Sequence, residues 1–176
     1  AGDQVADTKH HGSRDQAVCC HPLAHYDFWN NFYLLDSPET RLGPGSVGEN
    51  WTLTNATEAD VAVGDIFQVG EATVQVSAPR YPCAKQERKL KLPNFFKEVM
   101  AAQRTGFYLR VLTPGMVLVG DELKLVERPS PHFTIQLINQ NTLGTPDVEL
   151  VQQMLELPVL SDGWKKILEH KLSDRG

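Results

Sequence analysis

Cysteine is scarce in this chain. It has three, at positions 19, 20 and 83, an odd count with no Cys-x-x-Cys pair. Cys19 and Cys20 are adjacent and could bond to each other only in a strained ring. No disulfide framework is visible, so a reducing, cytoplasmic setting is expected. A long apolar run is also missing, which argues against a membrane-spanning helix. The first residues, Ala1-Gly2-Asp3-Gln4, have neither the charged nor the apolar region of a signal peptide. Positive charge is not in excess. The net charge of −5 argues against an extended nucleic-acid-binding surface, while a local basic pocket stays possible. There is no internal repeat and no low-complexity segment.

What is present is an ordinary globular composition. The 176 residues can build one good core, or one core plus a small satellite. The stretch Val76-Ser77-Ala78-Pro79-Arg80-Tyr81-Pro82-Cys83 organises the chain. Residues 72–77 place Val74 and Val76 on one face and Thr73, Gln75 and Ser77 on the other, the alternation of a half-buried strand. Pro79 and Pro82 then break the strand just before Cys83. Arg80 precedes that thiol, and Lys85, Arg88, Lys89 and Lys91 follow it. Positive charge around a thiol favours the thiolate, which attacks electrophiles and binds metals.

Before this stretch, residues 12–15 read as a turn and residues 17–20 as a short buried strand. Lys9, His10 and His11 precede them. Adjacent residues on an extended segment point to opposite faces, so at most one of the two histidines faces a given pocket. A histidine bonded to a nearby carbonyl is the plain alternative. Residues 22–35 space Leu23, Tyr26, Trp29, Phe32 and Tyr33 along one helical face, an aromatic stripe that reads as core. Gly48-Glu49-Asn50 follows a Gly-Pro-Gly loop, and on residues alone a turn is the preferred reading. From Val61 onward short apolar runs, including Val61 and Val63, alternate with Gly-Asp turns, which suggests a barrel or sandwich.

After Cys83 a basic segment leads to a helix opened by Pro93 and closed at Gly106. Residues 107–112 form a strand that holds Arg110 among apolar neighbours, either snorkelling or paired with an anion. Residues 117–119 and 122–126 are strands around Gly120-Asp121. The tail then carries three cap-like pairs, Ser130-Pro131, Thr145-Pro146 and Ser161-Asp162, each followed by an amphipathic segment. These predict three short helices that must pack to be stable.

Four motifs fall in one order: Gly2-Asp3 with Lys9-His10-His11-Gly12, then Gly48-Glu49-Asn50, then Pro79-Arg80-Tyr81-Pro82-Cys83, then Gly120-Asp121. This series resembles the MOSC family, named for the C-terminal domain of molybdenum cofactor sulfurases. The helical tail resembles its bacterial YiiM-like branch. The resemblance implies a mainly β fold: a MOSC-type β-barrel with inserted helices over residues 1–127, and a small three-helix satellite over 128–176. It implies a pocket for the molybdenum cofactor (molybdopterin), a pterin dithiolene with one phosphate, with Cys83 as the molybdenum ligand. It also implies reduction of N-hydroxylated compounds, including hydroxylaminopurine-type bases. His10, His11, Gly12, Glu49 and Asn50 fall in motifs that line the family's pocket, beside Lys9 and Gly48. Members carry an early strand and a lysine-containing segment before the Gly-Asp motif. That segment is absent here, so one side of the pocket is expected to be missing.

The charges add assignments of their own. Arg80, Lys85 and Arg110 are cofactor-binding candidates, the two arginines through charge-assisted bonds to the phosphate. Molybdenum is soft enough to favour thiolate. His10 or His11 is a plausible proton donor, with Glu49 as the alternative. No flavin or haem motif is present, so electrons would come from a separate reductase. Two rivals remain: a sulfur carrier that uses a Cys83 persulfide, and a non-catalytic module that binds a pterin or another cofactor.

Overall fold

The computed structural model describes residues 14–173. A 3-10 turn at Arg14–Gln16 leads into β1 (Val18–Pro22), and α1 (Leu23–Phe32) follows directly. Pro22 ends the strand with φ −63 and ψ 131 and starts the helix, since its missing N–H is one that a first helical turn leaves unpaired anyway. Then come β2 (Trp51–Leu53), β3 (Ile66–Val69) and β4 (Ala72–Pro79). Two short helices, α2 (Ala84–Leu90) and α3 (Phe95–Ala102), separate β4 from β5 (Phe107–Thr113) and β6 (Lys124–Glu127). The tail is α4 (Ile135–Leu143), α5 (Val148–Leu155) and α6 (Asp162–Ser173).

The six strands form one sheet in the order β2-β1-β5-β4-β3-β6. β1 runs parallel to β2, and every other pairing is antiparallel. Register shifts between Thr73 and Val74, between Val76 and Ala78, and between Ile66 and Phe67 mark irregular pairing. Such bulges bend a strand and increase its twist, and the sheet curls into a half-barrel. The fold is therefore mainly β with helical additions, as the alternating pattern of residues 72–77 suggests.

The sheet and the tail helices share the main core. Val74, Val76, Phe107 and Leu109 from the strands meet Ile138, Met154 and Leu168 from the tail helices in one apolar cluster. Backbone bonds join the two parts as well: Val63 N–H to the Phe133 carbonyl at 2.9 Å, and Ser161 N–H to the Ser77 carbonyl at 3.0 Å. The aromatic face of α1 builds a second cluster with α3, where Tyr26 and Trp29 pack with Phe95 and Val99. No helix of the described residues is long and apolar enough to cross a membrane.

Several boundaries differ from expectation. α4 begins after Thr134, whose hydroxyl accepts from Leu137 N–H at 3.1 Å, and α5 begins after Asp147, which caps Leu150 N–H at 3.1 Å. Each cap lies a few residues beyond the Ser-Pro or Thr-Pro pair. A side-chain acceptor followed by free N–H groups outcompetes a proline-first start. Residues 117–119 are not a strand, because the loop spends its polar contacts locally, with Leu118 N–H bonded to Asp121 at 2.7 Å. Residues 61–63 lie outside the strands and contribute a single bridge, Ala62 to Thr134. The helix opened near Pro93 ends at Gln103, which takes a left-handed φ of 55, rather than at Gly106. The basic segment after Cys83 is itself helical, as α2.

Candidate functional site

β4 delivers the cysteine loop. The strand ends at Pro79, and Arg80 N–H bonds the Gly106 carbonyl at 3.0 Å, which holds the loop against the start of β5. Cys83 is the last extended residue before α2, with φ −120 and ψ 125, and its carbonyl accepts Gln86 N–H at 2.9 Å. Its side chain is half-buried and lines a cavity of about 400 Å3. Tyr81, Lys85, Tyr108, Trp164 and Ile167 are other walls, so loop, sheet and tail helix α6 all contribute. That volume suits a small-molecule site.

The other two cysteines have a different environment. Cys19 and Cys20 are buried in β1, and burial pushes both thiols up, Cys20 well above its ordinary value. A thiol held in its protonated form is a poor nucleophile and a poor metal ligand. Of the three cysteines, Cys83 alone meets a cavity of molecular size.

The expected partners of Cys83 separate into groups. Lys85 shares the cavity. Arg80 turns away along the back of the loop, where its guanidinium donates to the Val47 carbonyl at 2.7 Å. It also bonds the Tyr108 phenol, whose ionisation burial pushes up while Arg80 acts in the opposite sense. Glu49 accepts from the Tyr26 hydroxyl at 2.5 Å, Gly45 N–H at 2.8 Å and the Thr52 hydroxyl at 2.8 Å. Burial alone would raise this carboxyl. The donors outweigh that and hold it below its ordinary value. Its Oε2 is buried and has no partner among the described residues.

Gly48 takes a φ of 77, a left-handed turn that puts Glu49 in reach of those donors. Asn50 is spent on the fold: its Oδ1 accepts Cys19 N–H at 2.8 Å, and its own N–H donates to the Cys19 carbonyl at 2.8 Å. Arg110 is bonded to Asp15 at 3.0 Å and to the Val159 carbonyl at 2.8 Å, so it ties the sheet to the segment before α6. Lys9, His10, His11 and Gly12 lie outside the described residues.

A buried polar cluster behind the cysteine loop has no counterpart among the residues singled out from sequence. His25 on α1 contacts both carboxylate oxygens of Glu58, at 2.8 and 2.9 Å, and Glu58 also accepts Gly106 N–H at 2.7 Å. Arg104 reaches His25 Nδ1 at 3.1 Å while its guanidinium lies 4.2 Å from the Phe28 ring centre. An arginine can only donate, so Nδ1 is the acceptor and the proton sits on Nε2. His21, 3% exposed, stands next to His25 with ring centres 5.2 Å apart. Neither of its nitrogens has a partner among the described residues. It lines a narrow crevice with Arg80, Pro82, Gln86 and Arg104, and Pro82 also lines the Cys83 cavity. No short-range spacing marks the pair, since His21 lies in β1 and His25 on α1.

The donor set limits what metal could bind. Among the described residues no three His, Cys, Asp or Glu side chains gather to hold an ion. A lone thiol suits a metal that arrives with other ligands attached, as a dithiolene supplies them. The cavity beside Cys83, with the Lys85 cation in its wall, fits such a group.

Comparison with known proteins places the fold. The family model for the MOSC domain matches residues 7–124, and that for the YiiM-like 3-alpha helix domain matches residues 144–175. The uncharacterised protein YflK of Bacillus subtilis is 38% identical over 93% of this chain and 72% of its own. Protein YiiM of Escherichia coli is 32% identical over 97% of this chain and 75% of its own. A protein of Gibberella moniliformis named reductase is 35% identical over 76% of this chain, which is 24% of its own length. The crystal structure of YiiM from Geobacillus stearothermophilus superposes with a TM-score of 0.84 at 36% identity, covering 91% of this chain and 80% of its own. That of Escherichia coli YiiM gives 0.83 at 30%, covering 92% and 80%. A core MOSC fold followed by the helical tail specific to these relatives places the chain in one group: it belongs to the MOSC family, in the YiiM-like branch.

Proposed function

We propose that this protein is a molybdenum-cofactor-dependent reductase of N-hydroxylated compounds, among them hydroxylaminopurine-type bases. The observation that carries the reading is the position of Cys83: half-buried, at the end of a proline-framed loop, in the wall of a cavity of about 400 Å3. The Gibberella relative's name, reductase, supports the class of reaction. Cys83 would hold the metal, and Lys85 in the wall of the same cavity is the cation placed to serve the pterin phosphate, whereas Arg80 is held by the Val47 carbonyl. Bound there, the cofactor supplies a two-electron redox centre that the polypeptide itself lacks.

The overall reaction takes an N–OH group, two electrons and two protons to an amine and water. The chain's own residues bind the substrate, limit water and supply protons. The walls of Tyr81, Tyr108, Trp164 and Ile167 exclude solvent from one side of the cavity. Glu49, held as a carboxylate by its three donors, has no proton to give near neutral pH. His10 and His11 therefore lead as donors to the departing oxygen. A separate reductase supplies the electrons, the setting is the cytoplasm, and no nucleic-acid partner is involved.

The test is reduction of an N-hydroxylated purine by the cofactor-loaded protein with a chemical electron donor. Wild type should form the amine, and Cys83→Ser should lose at least about a hundredfold in kcat, the scale of removing a direct metal ligand's contribution. Equal rates in the two would remove Cys83 from the chemistry. Cyanide-releasable sulfur on Cys83 without amine formation would favour the persulfide carrier instead.

A further inference from the structure

Positive charge in this chain is concentrated in one place. Six of its 17 Lys and Arg residues fall within residues 80–97, where Glu87 is the one acid. The rest of the chain has eleven such cations against 21 Asp and Glu. The fold puts the basic stretch at the cysteine. Cys83 is the residue before α2, and Lys85 on the first turn of α2 lines the Cys83 cavity. Arg88 and Lys89 follow three and four residues later, so the same helix face carries the charge outward from the cavity. Lys91 ends the helix with a left-handed φ of 57, and Lys97 follows on α3.

The one acid of the stretch is spent elsewhere. Glu87 is half-buried, and its carboxylate accepts Phe96 N–H at 3.2 Å, which ties α2 to α3. Lys89 donates to the Ser46 carbonyl at 3.2 Å, a neutral partner that leaves its charge uncancelled. Among the described residues no carboxylate pairs with Arg88, Lys91 or Lys97, and all three are exposed. Such a patch raises the local potential and draws in a surface of opposite sign. At the rise of a helix, Arg88 and Lys89 lie within about 10 Å of the Cys83 backbone.

We propose that the basic face of α2 is the docking surface for the electron donor, a small acidic electron-carrier protein, and that Arg88 and Lys91 steer it to the mouth of the Cys83 cavity. This rests on the reductase reading. Two carrier molecules, each oxidised by one electron, supply the two electrons that, with two protons, convert the N–OH group to an amine and water. Redox encounters are small in area and governed by charge, which a basic surface one short helix in length suits. A nucleic acid is a poorer match. Its phosphates need a longer basic track, and beyond this stretch the chain's excess of acids repels them.

Two measurements on the full chain test this, with a flavodoxin, a small acidic flavoprotein, as the carrier. In the first, oxidised flavodoxin is titrated into the protein by calorimetry at about 20 mM and about 200 mM salt, which screen charge to different extents. Wild type should bind at low salt and weaken at least about tenfold at high salt. Arg88→Glu combined with Lys91→Glu should raise the low-salt Kd at least about tenfold. Lys124→Glu combined with Lys171→Glu alters the net charge equally, on β6 and α6, and should stay within about twofold of wild type. In the second, the cofactor-loaded protein reduces an N-hydroxylated purine with either reduced flavodoxin or dithionite. The Arg88 and Lys91 double variant should raise KM for flavodoxin about tenfold while keeping the wild-type rate with dithionite. A wild type that does not bind flavodoxin at low salt overturns the docking surface, as do two double variants that weaken alike. An oligonucleotide that outcompetes flavodoxin for the same residues overturns it too. Salt-dependent binding through Arg88 and Lys91, in a protein that reduces no N-hydroxylated compound, keeps the docking surface and defeats the reductase reading.

Discussion

His25 and Glu58 are 33 positions apart in sequence and meet in the interior, with Nε2 at 2.8 and 2.9 Å from the two carboxylate oxygens. Arg104 fixes the histidine from its other nitrogen at 3.1 Å, and the carboxylate also takes Gly106 N–H at 2.7 Å. α1, the segment before β3 and the start of β5 are thereby tied together behind the cysteine loop. Gly106 permits it: its φ is 76, and a Cβ there would collide with the Cys20 carbonyl oxygen.

Removing the carboxylate from this pair should be costly. Glu58→Gln removes the negative charge that accepts from His25 Nε2–H and Gly106 N–H, and a hydrogen bond to a charged group contributes about 1.5–3 kcal/mol. The contribution also has a pH signature. Burial raises the Glu58 carboxyl, but the His25 and Gly106 bonds outweigh burial and leave it below its ordinary 4.5. Stability from this group is therefore complete above pH 4.5 and is lost as pH falls through the folded value. Urea unfolding of Glu58→Gln at pH 7 should show the loss, and the loss should shrink in acid. A cost that does not change from about pH 7 to about pH 3.5 would count against the pairing.

His21 carries the opposite kind of linkage. Burial pushes its imidazole down from 6.5 to about 3, and His25 and Arg80 act in the same direction. The unfolded chain therefore binds a proton that the folded chain refuses between those values. The stabilising effect is complete above pH 6.5 and declines as pH falls below it. From about pH 6.5 to about pH 5 the decline is about 2 kcal/mol for one such group. His21→Phe, which removes the titration while keeping an aromatic ring, should flatten the pH dependence of the urea midpoint in that window. Parallel profiles for wild type and variant would show that His21 is not buried in its neutral form.

Arg128 pins the chain at the end of β6. Its guanidinium donates to Asp65 at 2.7 and 2.9 Å and to the Asp60 carbonyl at 2.7 Å, and Asp65 is fully buried. Arg128→Ala leaves that carboxylate with Ala62 N–H as a remaining donor. The expected loss is about 3 kcal/mol, read from thermal or urea unfolding, because an uncompensated buried charge remains. Asp65→Asn in the Arg128→Ala background should recover part of it. No recovery would mean that the charge on Asp65 is not what the arginine offsets.

The legibility of this protein divides along the line between local and non-local information. Residues 72–77 alternate, and Pro79 and Pro82 stop the run, so β4 and the placement of Cys83 after it can be read from one short stretch. The aromatic stripe of α1 and the cap at Ser161 are local too, and the structure contains both. The Glu58 pairing is invisible because its partners come from α1, Arg104 and Gly106, and no short pattern links them. Arg110 illustrates the converse. An arginine among apolar residues is either snorkelling or paired with an anion, and Asp15, in the turn before β1, is its anion. Residues 117–119 have the composition of a strand but lie in a loop with Leu118 and Val119 exposed, where Asp121 captures a backbone donor that a neighbouring strand would need. Cys83 and Lys85, both singled out from sequence, line one cavity, while the contribution of α6 to its wall depends on how the tail folds back over the sheet.

The proposed reductase function depends on Cys83 holding molybdenum. The decisive measurement is the molybdenum content of the protein made in a host that assembles the cofactor, compared with Cys83→Ser checked for an intact fold by circular dichroism. Wild type should carry about one molybdenum per chain and the variant should lose most of it, since a lost thiolate removes the chain's own metal ligand. A folded Cys83→Ser protein that keeps wild-type molybdenum would contradict the assignment.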